Sequence, residues 1–445
     1  MKVYKFGGTS IADGDRMAAA AEMVAREVGG GPAIVVVSAT AGTTDVLLEA
    51  VREACCGGDW KADLARFVRC HDPIASRFGA GDELRRVGRV LARDLGYLAR
   101  GVRSQGRVVA RVVAQGEMAS SALFAAALRK AGVDAVRLTP QQLGMLTFGG
   151  YSGAEFKREA LPRVARHLRR LRRVAVVPGF VGATGRGEIT TLSRGGSDYS
   201  AAFLAAAAAA EELCIYTDVD GIMSADPRVV PGARPVRWLS YAEAAELSYF
   251  GARVLHPGTI EPAVSASVPV RVRNAFRPDD PGTLVCSKGS GRGVAAIACQ
   301  TGIDTLNVVS TRMLNAHGFL ARIFDVMRRR SVCVDVIATS EVSVSMTVDP
   351  AETLDAAVEE LATVAEVTRK RDRAVVCAVG ERMRGSPRIV SRIFAAVARV
   401  GAAVEMVSQG ASRINLTFVV RRRVVRKVLR SLHAEFFDGR SADAD

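Results

Sequence analysis

The stretch Thr190–Tyr199, Thr-Thr-Leu-Ser-Arg-Gly-Gly-Ser-Asp-Tyr, constrains this chain more than any other. A strand-like run, Val174 to Val177, precedes it through a connection carrying Gly179, Gly182, Gly185 and Gly187. An alanine-rich run, Ala201 to Ala210, follows and predicts a helix. Ser197 and Asp198 are good N-cap residues for that helix. Gly195 and Gly196 leave the backbone bare in front of it. A helix N-terminus with bare amides and one arginine, Arg194, suits an anion. Asp198 suits a cation, so the stretch fits a small molecule that carries both charges. A plain capped helix after a glycine turn accounts for the same residues.

The N-terminus repeats the arrangement. Lys2 to Phe6 is a short strand candidate, broken by Gly7-Gly8-Thr9-Ser10, and a helix pattern runs from Asp13–Asp15 to about Val28. Strand, glycine turn and helix bring backbone N–H groups to a phosphate. Lys5 stands two residues before the glycines. No Walker motif occurs. A third case is the apolar strand Ala33 to Val37, followed by Ser38-Ala39-Thr40-Ala41-Gly42-Thr43-Thr44, a loop of small residues offering four hydroxyls. Its helix is expected to start near Asp45. Residues 59–113 read as charged helices without a chemical motif. Gln115-Gly116-Glu117 precedes an apolar helix, Met118 to Lys130, with Glu117 in its first turn, suited to the helix dipole or to a ligand.

Further strands are expected at Val136–Leu138, Cys214–Thr217 and Val268–Arg273, the last of this part. Short strands alternating with longer helices predict an αβα sandwich with a mainly parallel sheet. In such sheets ligands bind at the carboxyl ends of strands, where these loops lie. Asp218-Val219-Asp220-Gly221 ends one strand, and its acids suit Mg²⁺ or a ribose, although turn chemistry also explains them. His256 before Pro257 reads as structural, and Ser287 to Arg292 as a linker.

At 445 residues the chain has room for two or three domains. Its formal charge of +15 invites a nucleic-acid reading. The excess is arginine spread along the chain, with few aromatics among it to stack bases. Solvated basic faces are therefore expected, and neither nucleic acid nor membrane is expected as a partner. Eight scattered cysteines, without a CxxC pair or a signal peptide, point to reduced thiols in the cytoplasm. The five histidines show no metal-ligand spacing, so no metal site is expected.

Taken in order, Lys5-Phe6-Gly7-Gly8-Thr9-Ser10, Gly116-Glu117, Arg194 to Tyr199, Thr217-Asp218-Val219-Asp220-Gly221 and Asp226-Pro227-Arg228 resemble the aspartate kinases. The resemblance spans nearly the whole chain. It implies an amino-acid-kinase fold over 1–288 and transfer of the ATP γ-phosphoryl group to the β-carboxylate of L-aspartate, on the route to lysine, threonine and methionine. A carboxylate acceptor is already ionised at neutral pH, so no general base is needed. Charge neutralisation and alignment are. The resemblance assigns Lys5 to the transferring phosphoryl group, the amides of Gly7 and Gly8 to phosphate, and Phe6 to the ATP side. Arg194 would fork onto the α-carboxylate, with Gly195 and Gly196 beside it. Glu117 and Asp198 would hold the amino group and order the site, and Thr44 and Ser197 would add hydrogen bonds. Thr217, Asp218, Met223, Arg228 and Arg253 fall on the nucleotide side. Relatives usually have lysine at 253 and an aromatic residue at 223. ATP would enter with Mg²⁺, and no tightly bound cofactor is expected.

From about Val294 the chain repeats. Ile323-Phe324 and Ile393-Phe394 lie 70 positions apart (394 minus 324), as do Asp335 and Glu405 (405 minus 335). Ser345 to Val348 is echoed by Asn415 to Phe418. Two ferredoxin-like βαββαβ modules fit, over 293–374 and 375–445. They resemble ACT domains, which bind amino acids at paired interfaces. Met313 to Leu320 with Asp335 to Glu341 is similar to lysine-sensitive aspartate kinases. Met313, Gly318, Phe319, Leu320, Asp335 and Ser340 are the implied effector contacts, for lysine, with threonine left open. Pairing of ACT modules implies a homodimer, with a tetramer open. The rivals are another kinase of the fold, for acetylglutamate or uridylate, a non-catalytic amino-acid sensor, and a nucleic-acid binder. A fused homoserine dehydrogenase is not expected at this length.

Overall fold

The computed structural model describes residues 1–101, 105–251, 255–289, 291, 293–313, 317–383, 385–410 and 414–438. The chain divides into two compact units, Met1–Ile222 with Leu255–Ser287, and Met223–Val254 with Lys288–Asp445.

The first unit is built on a twisted sheet. Its strands are β1 (Val3–Phe6), β2 (Ile34–Val37), β3 (Ala135–Arg137), β4 (Val174–Pro178), β5 (Leu213–Thr217), β6 (Val270–Asn274) and β7 (Thr283–Cys286). They lie in the order β7-β6-β5-β1-β2-β4-β3. All pairings are parallel except β6 with β7. The central strands are apolar on both faces, as a doubly covered parallel sheet requires. Tyr4, Phe6, Val35, Val37, Val176 and Tyr216 belong to a core shared with helices α1 (Gly14–Val28), α2 (Thr43–Cys56), α3 (Trp60–Phe78) and α4 (Gln115–Lys130). Helix α5 (Gly196–Ala208) packs against β1 and β2, and against the helix Pro257–Ser265. This is the expected amino-acid-kinase sandwich.

The sequence pattern missed three features. The turn-rich connection before Thr190 contains a hairpin, Val181–Ala183 with Ile189–Thr191. A second small hairpin pairs Thr147–Phe148 with Glu155–Phe156. The strand at Val270–Asn274 is also not the last, since β7 returns antiparallel to it. Strands of two to four residues carry too little periodicity to read.

The second unit carries a six-stranded antiparallel sheet. Its strands are β8 (Ala296–Val309), β9 (Val334–Thr339), β10 (Ser343–Val348), β11 (Glu366–Val379), β12 (Met406–Ser408) and β13 (Asn415–Arg421), in the order β9-β10-β8-β11-β13-β12. The helices are α6 (Tyr241–Tyr249), α7 (Phe319–Arg329), α8 (Leu354–Ala362), α9 (Pro387–Arg399) and α10 (Arg422–Phe437). The predicted repeat is present, with Ile323 on α7 and Ile393 on α9 each buried in its own module core.

The two modules share their long strands. The first half of β8, Ala296–Thr301, pairs with the second half of β11, Ala374–Val379. That half of β11 also pairs with β13. Residues 374 and 375 thus lie inside one continuous strand, and the strand that completes the second module comes from before the first. The stretch Met223–Val254, placed by the sequence pattern within the kinase part, groups with this unit. Ala225 and Val230 join the second module's core, and Ser224 Oγ lies 3.0 Å from the buried His433 Nε2.

No described helix is long and apolar enough to cross a membrane. Much of the arginine excess sits in exposed pairs on helix faces, such as Arg85–Asp82, Arg86–Glu83 and Arg328–Asp325.

Candidate active site

The site grows out of β1. Parallel neighbours on both sides place its alternate residues on opposite faces. Tyr4 and Phe6 enter the core with α1–α4, where the Phe6 ring stacks on Tyr216 at 4.8 Å. Lys5 points the other way and is 8% exposed. A buried ammonium needs an anion beside it. That anion is Asp198, whose Oδ1 lies 2.6 Å from Lys5 Nζ.

Asp198 can reach Lys5 because of how α5 begins. The sequence predicted Ser197 and Asp198 as N-caps; instead Gly195 caps the helix, with φ 74, and no side chain bonds to the first turn. The Gly195 carbonyl accepts from the amides of Asp198 and Tyr199. A Cβ on Gly195 would lie 2.6 Å from Thr259 Cγ2, so close packing and backbone conformation both demand glycine. Ser197 and Asp198 therefore fall inside the helix. Ser197 is buried, and the Asp198 carboxylate is free of capping duty. Arg194 is exposed just before the helix, and among the described residues it makes no ion pair.

The glycine turn after β1 differs from expectation in detail. The Gly7 amide donates to the Tyr216 carbonyl at 3.2 Å, so it is not available to phosphate. The Phe6 side chain is core. Gly8 opens a single 3-10 turn, Gly8–Ile11, whose leading amides have no partner within the turn. A Cβ on Gly8 would lie 2.5 Å from the Ala39 carbonyl oxygen, which shows how tightly the loop 38–44 presses on this turn.

That loop is less open to ligand than its hydroxyls suggest. Thr40 and Thr43 are buried and bond to each other at 2.7 Å, and Thr40 also meets His71 Nε2 at 3.0 Å. Ser38 and Thr44 remain half-buried. The loop instead orders Glu117. Ser120 Oγ donates to the Ser38 carbonyl at 2.6 Å. The Ala39 amide faces the Glu117 carboxyl and favours its charged form. Glu117 lies in the first turn of α4, is 5% exposed, and its Oε2 has no hydrogen-bond partner. Burial pushes its carboxyl up to about 8, against the pull of the amide bonds.

Lys5, Gly8, Thr44, Glu117 and Arg194–Asp198 all belong to the first unit. So do Thr217, whose hydroxyl donates to Asp218 Oδ1 at 3.2 Å, and Asp218, which is exposed. Asp220 is used by the fold, accepting from Asn274 Nδ2 at 2.7 Å and pairing with Arg277. Met223 and Arg228 belong to the second unit, where Arg228 forks onto Asp226. Arg253 lies outside the described residues. No cluster of three or more potential metal ligands occurs among the described residues.

The implied effector residues are partly engaged in the fold. Gly318 caps α7 with φ 81. Phe319 and Met313 pack in the first module's core, while Leu320 is exposed. Residues 314–316 between them lie outside the described set. Ser340 closes the β9–β10 turn through Ser343. Asp335 sits at a cavity of about 250 Å³ lined also by Glu246, Tyr249, Ser408 and Asn415. Its Oδ1 accepts from the Tyr249 hydroxyl at 2.7 Å, while Oδ2 has no hydrogen-bond partner. Tyr249, at the end of α6, carried no signal in the sequence, because its partner lies 86 residues away.

The Amino acid kinase family pattern matches residues 1–274, and the ACT domain pattern matches 306–364 and 376–436. Lysine-sensitive aspartokinase 3 of Escherichia coli is 34% identical over 450 residues, covering 98% of this chain and 99% of the relative. The chain belongs to the aspartokinase family. Aspartokinase 3, chloroplastic, of Arabidopsis thaliana is 35% identical, over 99% of this chain and 82% of the relative. Among solved structures, Escherichia coli aspartokinase III in complex with aspartate and ADP (R-state) superposes with TM-score 0.79 at 32% identity, covering 98% of this chain and 100% of that one. The same protein in complex with lysine and aspartate (T-state) gives 0.82 at 33% identity, covering 98% and 99%. As an aspartokinase the chain is a phosphotransferase with a carboxyl group as acceptor.

The raised Glu117 carboxyl has a consequence for stability. An unfolded glutamate loses its proton near 4.5, whereas the folded one keeps it to about 8. The folded state therefore holds the extra proton between these values. Its stabilising effect is complete below pH 4.5 and declines as pH rises to about 8. Glu117→Gln should flatten this part of the ligand-free enzyme's melting temperature against pH, measured beside the wild type.

Proposed function

We propose that the enzyme transfers the γ-phosphoryl group of ATP to the β-carboxylate of L-aspartate, giving 4-phospho-L-aspartate and ADP, the entry to lysine, threonine and methionine synthesis. The observation that carries this reading is that two acids, each in the first turn of a helix, are differently disposed. Asp198 is already committed to Lys5 at 2.6 Å, while the buried Glu117 carboxyl keeps one oxygen unpartnered. The complexes of the Escherichia coli relative with aspartate and ADP support it.

In this reading Glu117 takes the substrate ammonium, and Asp198 holds the Lys5 ammonium in place. Arg194 forks onto the α-carboxylate, assisted by Thr44, Ser197 and the backbone of Gly195–Gly196. Lys5 and the Gly8 amide neutralise charge on the transferring phosphoryl group, which leaves the β-carboxylate to attack in line. Phe6 and Gly7 supply shape only. Thr217, Asp218, Met223, Arg228 and Arg253 are assigned to the nucleotide. Mg²⁺ enters as part of the nucleotide substrate, carried by phosphate oxygens.

Lysine is the proposed effector, bound by Met313, Gly318, Phe319, Leu320, Asp335 and Ser340, with threonine as a second candidate. The lysine complex of the Escherichia coli relative supports it. Pairing through the C-terminal modules would make the enzyme a homodimer. Ile337, Val342 and Val407, on or beside the edge strands β9 and β12, are between 39% and 43% exposed and suit such pairing.

Trapping the acyl phosphate with hydroxylamine should give hydroxamate that depends on both ATP and L-aspartate. Lys5→Ala and Arg194→Ala should each lower the rate by at least about a hundredfold while the protein stays folded. Absence of aspartate-dependent product in the wild type would refute the reaction.

Binding of the substrate ammonium beside Glu117 should expel its proton. Near pH 7, calorimetry in buffers of different ionisation enthalpy should register release of close to one proton per aspartate bound. Glu117→Gln should abolish it. No proton release in the wild type would place the ammonium elsewhere.

Tyr249→Phe removes the donor on Asp335 Oδ1 and should lower the half-inhibitory lysine concentration about fivefold, the worth of one hydrogen bond. Asp335→Asn should raise it. A titration of both variants with lysine and with threonine in the same assay checks this.

A further inference from the structure

The reaction proposed above uses no histidine, yet one histidine is buried behind the active-site loop. His71, on α3, is 1% exposed and stacks on the Phe67 ring at 4.3 Å. Its Nδ1 faces the Phe67 carbonyl oxygen at 2.8 Å. A carbonyl only accepts, so Nδ1 carries the proton. Burial depresses the imidazole's proton affinity and keeps the ring neutral. Nε2 is then a bare acceptor, and the group it faces is the Thr40 hydroxyl at 3.0 Å. With the Thr40 proton given to His71, the Thr40 oxygen must accept from Thr43, 2.7 Å away. The tautomer of one ring thus sets the direction of a three-member chain, Thr43 to Thr40 to His71, anchored in the backbone of α3.

The middle member of that chain stands in the loop that builds the site. Thr40 is next to Ala39, whose amide faces the Glu117 carboxyl. Ala39 is also pinned between neighbours. A Cβ on Gly116 would come within 2.9 Å of Ala39 Cβ, and one on Gly8 within 2.5 Å of the Ala39 carbonyl oxygen. The loop residues are small and bring no packing mass of their own, so a polar anchor has to hold them.

We propose that His71 is a positioning residue for the amino-acid substrate: through Thr40 it fixes the Ala39 amide that orients Glu117. The inference rests on the reading of Glu117 as the site of the substrate ammonium. It assigns His71 no contact with substrate and no proton transfer. Lys5 is held by the pairing of β1 with β2 and β5, and the Gly8 turn, although the loop packs on it, is also tied to β5 by the Gly7–Tyr216 bond, so the nucleotide side should not depend on His71.

Steady-state kinetics of the full-length enzyme test this. His71→Phe keeps the ring stack but loses the acceptor, and Thr40→Val loses only the hydroxyl. Each should raise the KM for L-aspartate about fivefold or more, the worth of one hydrogen bond, with the KM for MgATP unchanged. His71→Gln, which can place an amide oxygen where Nε2 stood, should restore most of the aspartate KM. The double variant His71→Phe with Thr40→Val should be no worse than either single one, because both break the same chain. A purely structural role would lower the melting temperature and the yield of active enzyme, and leave the aspartate KM alone. If His71→Phe does not fold, Thr40→Val decides the matter by itself. An unchanged aspartate KM in Thr40→Val, or additive losses in the double variant, overturns the proposal. Absence of any aspartate-dependent turnover in the wild type would instead refute the reaction, so the two failures are distinct.

Discussion

The contact between Lys5 and Asp198 is the constraint around which the first unit is arranged. It joins the central strand of a parallel sheet to the first turn of a helix that follows it by almost two hundred residues in sequence. Neither charge would sit stably at such low exposure alone. Together they place an ammonium at the carboxyl end of β1, where a parallel sheet collects its ligands. Several other details serve this pair. Gly195 takes the cap, which releases Asp198, and the Thr259 methyl beside it leaves no room for a side chain there. Alternation along β1 sends Tyr4 and Phe6 into one core and Lys5 to the opposite face.

Glu117 shows the opposite solution to the same problem. Asp198 has a cation, and Glu117 has only an amide and a dry environment. One acid therefore faces a cation before substrate arrives, while the other is poised to become charged when an ammonium comes beside it. Two carboxyl groups of similar chemistry are separated in role by their surroundings. Behind the loop 38–44, two hydrogen bonds join Thr43 and Thr40 to His71.

The second unit follows a different logic. Two ferredoxin-like modules are fused through shared strands, so the sheet is continuous from β9 to β12. The segment Met223–Val254, which in sequence separates the two stretches of the first unit, is part of this unit. It brings Tyr249 to Asp335, so the residue implied as an effector contact is already hydrogen-bonded to the end of α6. A ligand that competes for that carboxylate acts on α6 directly, which is a physical link of the kind allostery requires.

Much was legible in the sequence because it is local. The strands at Val3, Ile34, Val174 and Leu213, the helices after their glycine turns, and the 70-residue repeat all follow from periodicity and turn chemistry. The family could be read from the order of its motifs. What sequence could not supply was the assignment of each polar group to its partner. Ser197 and Asp198 look like N-caps until Gly195 is seen in the left-handed conformation. The Gly7 amide and the Thr40 and Thr43 hydroxyls look available until Tyr216 and His71 are found to occupy them. Capping, strand sharing and the pairing of buried charges depend on distances between residues far apart in the chain. Only the folded arrangement decides which donor meets which acceptor.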